Sequence, residues 1–302
     1  EGIFKVKGVF CNPGIMKRLA AFIGTVFIVS VSAQSPERGL LSVRADELRE
    51  KVSYLASREM KGRGDGAPEL RLAAEYIAGV FKKNGLKPAG DAGTYYQNFR
   101  MFTTRLGSGN GFRVGGSEYL LGTDYIPHYL SPPAQVEGPL VFVGYGISAP
   151  SLKFDELSGA SLRGRVAVVL DANPHAENFS SDFNRVDLTE KGSILTKARN
   201  VAKAGAVGLI VLQNSSIPNT SIADSAATFR PDYPRRDVPM GDMEDVRNPR
   251  IPVIILSEVA ARRLVPSLRD LQRTIDVTLR PQFLDLGKRA TLKVDVQRIP
   301  FA

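Results

Sequence analysis

Apolar residues recur at three- and four-residue steps in two early segments. In "ADELREKVSYLAS" they place Leu48, Val52 and Leu55 on one face, which predicts an amphipathic helix. "APELRLAAEYIAGVFKKNGLKP" predicts a second helix, with Leu70, Ala73, Ala74, Ile77 and Phe81 along its apolar side. Lys82 and Lys83 suit the negative end of its dipole. Gly85 suits the left-handed position just past the end, and Pro88 stops continuation. The period then changes to two. "YYQNFRMFTTRL" and "FRVGGSEYLL" alternate as strands on either side of "GSGNG", which reads as a hairpin turn. Those glycines do not match a dinucleotide fingerprint, and no strand-loop-helix follows them.

The Pro-containing link "LSPPAQVEG" predicts a domain boundary near residue 135. Beyond it lie the strand-like runs "PLVFVGYGI" and "RVAVVLD". The helix "SILTKARNVAKAGA" then leads into the apolar strand "VGLIVLQ". Residues 213 to 250 are rich in Pro, Asn, Asp and Ser and read as a long surface loop. The strand "IPVIILS" follows, then a short helix, "EVAARRLV", and near the end a further alternating strand, "ATLKVDVQRI". Strands interspersed with helices imply an α+β or α/β layered structure with its own core.

Composition narrows the classes. The 302 residues are 43% hydrophobic and 24% charged, which is ordinary for a globular protein and argues against disorder. The net charge of +9 is spread without a run of five Lys or Arg, so no nucleic-acid partner is expected. "MKRLAAFIGTVFIVSVSAQ" has the layout of a secretory signal peptide over residues 16–33, cleaved before Gln34. Its apolar run is too short to span a bilayer comfortably. Residues 1–15 then read as a mispredicted extension ahead of Met16. Cleavage would remove Lys5, Lys7, Lys17, Arg18 and Glu1, taking the charge from +9 to +6, and also Cys11, the only cysteine. A secreted or periplasmic protein without disulfide, lipid anchor or membrane contact is expected.

Candidate chemistry is sparse. There are two histidines, His128 in "DYIPHYLS" and His175 in "LDANPHAEN", and no G-x-S-x-G elbow accompanies either. His175 and Glu177 could share a metal only with partners that the sequence does not supply. The acidic stretch "MGDMEDVRNPR" lacks calcium-loop spacing. The residues themselves therefore nominate no catalytic and no metal-binding residue. "NFS", "NSS" and "NTS" are glycan acceptors only in a eukaryotic secretory pathway. Arg63-Gly64-Asp65 spells a cell-adhesion tripeptide, but it lies in a Gly-rich connection between two predicted helices, where a turn explains it.

Taken together, the segments resemble a known family. "LREKVSYLASREMKGRGDGAPELRLAAEYIAGVFKKNGLKPAG" followed by "YYQNF" resembles the opening of the secreted two-zinc aminopeptidases of peptidase clan MH, in which a "GR" loop joins two helices ahead of a Y-x-Q-x-F strand. "VEGPLVFVGYGISAP", "FDELSGASLRGRVAVVLDANP", "KARNVAKAGAVGLIVLQN" and "IPVIILSEVAARRLV" are similar to the protease-associated (PA) domain inserted into those enzymes. The resemblance covers residues 44 to 298. It implies an α+β chain in which a β-rich PA domain with flanking helices, residues 135–285, is inserted between an N-terminal part of the peptidase domain, 34–134, and a return strand, 286–302, of an incomplete α/β peptidase domain. The strands on either side of the insertion, "YYQNFRMF" and "ATLKVDVQRI", should then lie close together.

The family's two zinc ions are held by His and Asp/Glu ligands downstream of the insertion, with a separate Glu as general base. No residue here matches one of them, so the resemblance implies a truncated, non-catalytic portion with no cofactor of its own. Its PA domain would act as a lid or substrate-access element. Its partners would be peptides or the missing peptidase domain. A stand-alone secreted PA-like module binding peptides or proteins is the alternative, and exposed apolar helix faces would speak against it. An unrelated enzyme working through His128 or His175 is the weakest reading.

Overall fold

A computed structural model describes residues 42–178, 180–184, 192–213, 221–230, 235–237 and 249–300. The expected signal peptide, the extension before it and most of the 213–250 stretch lie outside the described residues. The chain divides into two units, Glu1–Gly62 and Arg63–Ala302. In the first, helix α1 spans Ala45–Leu55, with Asp46 and Glu47 in its first turn and no buried residue. Leu48 and Val52, the apolar stripe of the sequence, are exposed.

In the second unit, residues 64–67 close a turn through Ala67 N–H to the Gly64 carbonyl, 3.0 Å, so Gly64 and Asp65 belong to the lead-in of the next helix. That helix, α2, spans Pro68–Lys83, with Pro68 at its first position. It ends as the sequence predicts. Gly85 has φ +71°, its N–H reaches the Lys82 carbonyl, and Leu86 N–H reaches that of Phe81, which is a Schellman closure. Ala73 and Ala78 are buried, whereas Leu72, Ile77 and Phe81 are exposed.

Strand β1 covers only Arg100–Leu106, shorter than predicted. Residues 90–98 fold on themselves instead: the Asp91 carboxylate accepts from Asn98 N–H, and Asp91 N–H donates to the Tyr96 carbonyl. Such local side-chain acceptors compete with a ladder. β2 (Gly111–Val114) and β3 (Ser117–Tyr119) form a hairpin through Gly115 and Gly116. Next come β4 (Tyr125–Pro127), β5 (Ala134–Phe142), the short pair β6 (Ser148–Ala149) and β7 (Phe154–Asp155), and β8 (Val166–Leu170). Helix α3 (Ile194–Lys203) leads into β9 (Gly208–Leu212). Within the predicted long loop stand a five-residue helix, α4 (Ile222–Ala226), and strand β10 (Arg235–Asp237), which correct that expectation. A reciprocal capping box between Ser221 and Asp224 starts α4 despite the polar composition. β11 (Val253–Leu256), α5 (Glu258–Leu264), α6 (Leu268–Thr278), β12 (Leu284–Val294) and β13 (Val296–Pro300) complete the order.

The architecture is α+β. The main sheet runs β3-β2-β12-β5-β8-β9-β11-β4, with β5, β8, β9 and β11 parallel and the flanks antiparallel. Its parallel strands are apolar on both faces, which is why they read as continuous runs rather than alternations. Leu140, Val168, Ile210 and Ile254 pack on the face that holds α5 and α6; Val141, Ala167, Leu209 and Val253 pack on the face that holds α3 and α4.

A smaller sheet, β10-β1-β13, pairs Phe102 with Pro300 and Leu106 with Val296, so the strands flanking the expected insertion do lie together. "GSGNG" is not a hairpin turn. β1 and β2 belong to different sheets, and the chain crosses between them here, beside the equivalent crossing of β12 into β13 at Asp295. Gly107 N–H donates to the Asp295 carbonyl at 2.9 Å, Gly109 N–H to its carboxylate at 3.0 Å, and Asp295 N–H to Asn110 Oδ1 at 2.8 Å. The glycines serve close approach, because a Cβ on Gly107 would collide with the Asp295 carboxylate. Gly107→Ala should cost about 1–3 kcal/mol of stability in urea titrations. An unchanged midpoint would mean that the crossing tolerates displacement of Asp295.

Candidate functional site

Two tight segments leave the carboxyl ends of adjacent parallel strands. After β5, residues Val143–Ile147 turn sharply, with Gly144 at φ +66° and Gly146 at φ +68°. A Cβ on Gly144 would collide with Glu156, so only glycine fits the φ and the contact together. The Glu156 side chain explains the turn. Its Oε1 accepts from Tyr145 N–H and its Oε2 from Ile147 N–H, both at 3.0 Å, and the residue is only 4% exposed.

Across the turn, Lys197 of α3 is fully buried. It donates from Nζ to the Leu170 carbonyl at 2.6 Å and sits 5.5 Å from the centre of the Tyr145 ring. Burial pushes the Glu156 carboxyl up to about 7, against the pull of the Ile147, Tyr145 and Gly146 backbone N–H groups and of Lys197. Burial likewise pushes Lys197 down to about 8, against the attraction of Asp171 and Glu156.

After β8, residues 171–178 and 180–184 are locked together by their own amides. Asn173 Nδ2 donates to the Phe183 carbonyl and to Asn184 Oδ1, while Asn184 Nδ2 donates to the His175 and Asn178 carbonyls. His175 is held at φ +57°, as is Ala172, an uncommon conformation for residues with a Cβ. Its Nε2 lies 2.5 Å from the Asp276 carbonyl. A carbonyl only accepts, so Nε2 carries the proton, and in the neutral ring Nδ1 accepts from the Ser181 hydroxyl at 3.3 Å. The Tyr145 hydroxyl donates to Asp276 Oδ1 at 2.8 Å. Burial raises the Asp276 carboxyl and also the Tyr145 hydroxyl above their ordinary values.

Together Tyr145, Asn173, His175, Glu177, Gln272 and Asp276 line a cleft of about 250 Å³. It opens at the carboxyl ends of the parallel strands, where open α/β sheets place their ligand crevices. With both imidazole nitrogens engaged, its wall offers hydrogen bonds and one half-buried carboxylate rather than a nucleophile.

The two histidines of the sequence are thus in different settings. His175 lines the cleft, with Glu177 exposed at its rim. His128 follows β4, half-buried, with its ring 4.7 Å from that of Tyr129 and its Nδ1 accepting from Leu130 N–H. Among the described residues no three His, Cys, Asp or Glu side chains gather to hold a metal. The described residues therefore do not fit the two-zinc ligand set. Sequence reasoning missed Tyr145, Glu156, Lys197 and Asp276. One signal was available: Lys197 interrupts the apolar stripe Ile194, Ala198, Val201 of α3, the buried side of that helix.

The parallel strands of this sheet, with the turn after β5 and the helix before β9, fall within a segment that a family model recognises. Residues 136–264 match the PA domain. The PA segment therefore holds β5 to α5, including Tyr145, Glu156, His175 and Lys197, while Asp276 lies beyond it. No curated protein matches the chain. Among solved structures, the aminopeptidase from Aneurinibacillus sp. strain AM-1 is similar at 18% identity and a TM-score of 0.39, over 83% of this chain and 48% of that one. BSAP, a zinc aminopeptidase from Bacillus subtilis, is similar at 19% and 0.29, over 85% and 44%. A peptidase M28 precursor from Shewanella amazonensis SB2B is similar at 12% and 0.29, over 78% and 43%. The chain spans less than half the length of these relatives. Among the described residues no helix is long and apolar enough to cross a membrane.

Proposed function

We propose that this chain is the N-terminal and PA-domain portion of an exported zinc-dependent aminopeptidase, with the PA segment serving as a lid or substrate-access element beside a metal site built by other residues. The observation that carries the reading is the PA match combined with the pairing of β1 and β13. A domain inserted into another leaves and returns at points that usually lie close together, and these two paired strands bracket the PA segment. The exposed Ile77 and Phe81 of α2, and separately the exposed Leu48 and Val52 of α1, favour helices made to pack on a further layer over a free-standing module.

The test compares this chain with the natural gene product. The product should leave the cytoplasm with its amino terminus at Gln34, bind two zinc ions and hydrolyse aminoacyl anilides until chelated. The 302-residue chain alone should not hydrolyse them. Deleting residues 136–264 from the product should alter kcat/KM for longer peptides more than for the anilides. Zinc-dependent hydrolysis by this chain alone would overturn the non-catalytic reading. Equal effects on long and short substrates would overturn the lid.

A further inference from the structure

We propose that Glu156 is a proton-operated latch on the turn Val143–Ile147, which in its ionised state holds Tyr145 against Asp276 and so fixes one wall of the cleft. The geometry supplies each part. Both carboxylate oxygens are committed, one to Tyr145 N–H and one to Ile147 N–H, and among the described residues no other side chain accepts from these two amides. The residue between them is Gly146, and Gly144 stands just before, both in the left-handed region, so the turn has this shape because the carboxylate gathers its donors. At the far end of Tyr145 the hydroxyl reaches Asp276 Oδ1, and the carbonyl of that same Asp276 receives His175 Nε2. One turn thus connects a buried carboxylate to two of the cleft's walls.

Protonation breaks this arrangement by counting donors. An ionised carboxylate accepts on both oxygens; a carboxylic acid keeps one good acceptor and gains an O–H donor of its own. With one amide on each oxygen, the amide facing the protonated oxygen would then meet an O–H donor in place of an anionic acceptor in a buried space. One amide must lose its partner, and a buried unpartnered N–H is costly enough to move the turn. Tyr145 would then be released from Asp276.

The charged and titratable groups around Glu156 set where this happens. Lys197 of α3 faces it and favours the anion, Asp171 after β8 faces Lys197 and shares its charge, and Tyr145 lies between. Asp276 of α6 and His175 lie at the far end of the tyrosine. Burial outweighs the attraction of Lys197 and brings the Glu156 carboxyl to about 7, so the latch works near neutrality.

Hydrogen exchange on the full chain tests this. Protection factors of the Tyr145 and Ile147 amides should fall roughly tenfold as pH drops from about 8 to about 6, by local opening. In Glu156→Gln, which cannot titrate, the pH step should vanish. In His175→Asn it should persist, because the imidazole is not the switch. No step in the wild type, a step surviving in Glu156→Gln, or a step abolished in His175→Asn would each overturn the latch. If Glu156→Gln fails to fold, the carboxyl carbon of Glu156 in the wild type decides. Titration near 7 together with the amide step supports the latch; titration in the ordinary glutamate range overturns it.

Discussion

Lys197→Met should destabilise the protein by about 2–3 kcal/mol at about pH 7.5, and by roughly 1 kcal/mol less at about pH 6. Lys197 is fully buried and faces Glu156 and Asp171. Methionine fills the space of its stem, so the loss is one of charge and hydrogen bonding rather than volume. Between the values of about 7 and about 8 both partners are mostly ionised, and removing the ammonium leaves Glu156 facing no cation, so that it takes up a proton. The sign follows from linkage. The Glu156 value is raised on folding, so its contribution to stability is fully present below its unfolded value and is lost as pH rises through about 7. Removing Lys197 raises that value further and deepens the loss on the alkaline side. At about pH 6 Glu156 already carries a proton, and the variant loses chiefly the bond to the Leu170 carbonyl. Lys197 has a depressed value, so its own contribution is present above its unfolded range and is lost as pH falls through about 8. The ammonium is mostly charged at both pH values, so the difference between them comes from Glu156. Urea titrations at the two pH values measure the difference, and Glu156→Gln/Lys197→Met should recover part of the alkaline loss. Equal losses at both pH values would show that packing, not charge, holds Lys197 in place.

The same residues explain what was legible in the sequence. The parallel strands β5, β8, β9 and β11 were visible because burial on both faces makes each a continuous apolar run bounded by Gly or Pro. The end of α2 was visible because Gly85 and Pro88 are punctuation whose physics is local. Helix α6 was not, because it buries only Leu268 and Ile275 and shows a polar face over most of its length. "GSGNG" was misread because glycines signal a tight path without saying where the next strand pairs; that depends on Asp295, nearly 190 residues away in the chain. The cleft was illegible for the same reason. Tyr145 and Asp276 are separated by 131 residues, and nothing in the stretch that holds Tyr145 points to its partner. The family resemblance named the PA segment and left the cleft's residues unnamed, since it carries over ligands only where a motif aligns.

Phe112→Ala carries the other large effect, and it asks which strands the PA segment needs. Phe112 lies on β2, outside residues 136–264, yet it is completely buried. Its ring is 4.6 Å from that of Tyr119 and 5.6 Å from that of Tyr125, and its backbone pairs opposite Leu292 of β12. β12 in turn pairs with β5 from Ala134 to Phe142, so β2 and β12 extend the sheet of the PA segment rather than sit apart from it. Phe112 also shares one apolar cluster with Leu140, Val168, Ile210 and Leu256. Truncating it should cost about 3–5 kcal/mol and lower the stability of the whole sheet in a single cooperative transition. By the same reasoning residues 136–264 expressed alone, without Phe112, Tyr125 and Leu292, should bind a hydrophobic dye and unfold at much lower urea. The measurement is urea unfolding followed in parallel by circular dichroism and tyrosine fluorescence. Two separated transitions, the one for the PA strands unmoved by Phe112→Ala, would mean that the flanking strands fold independently and that the matched segment is self-sufficient.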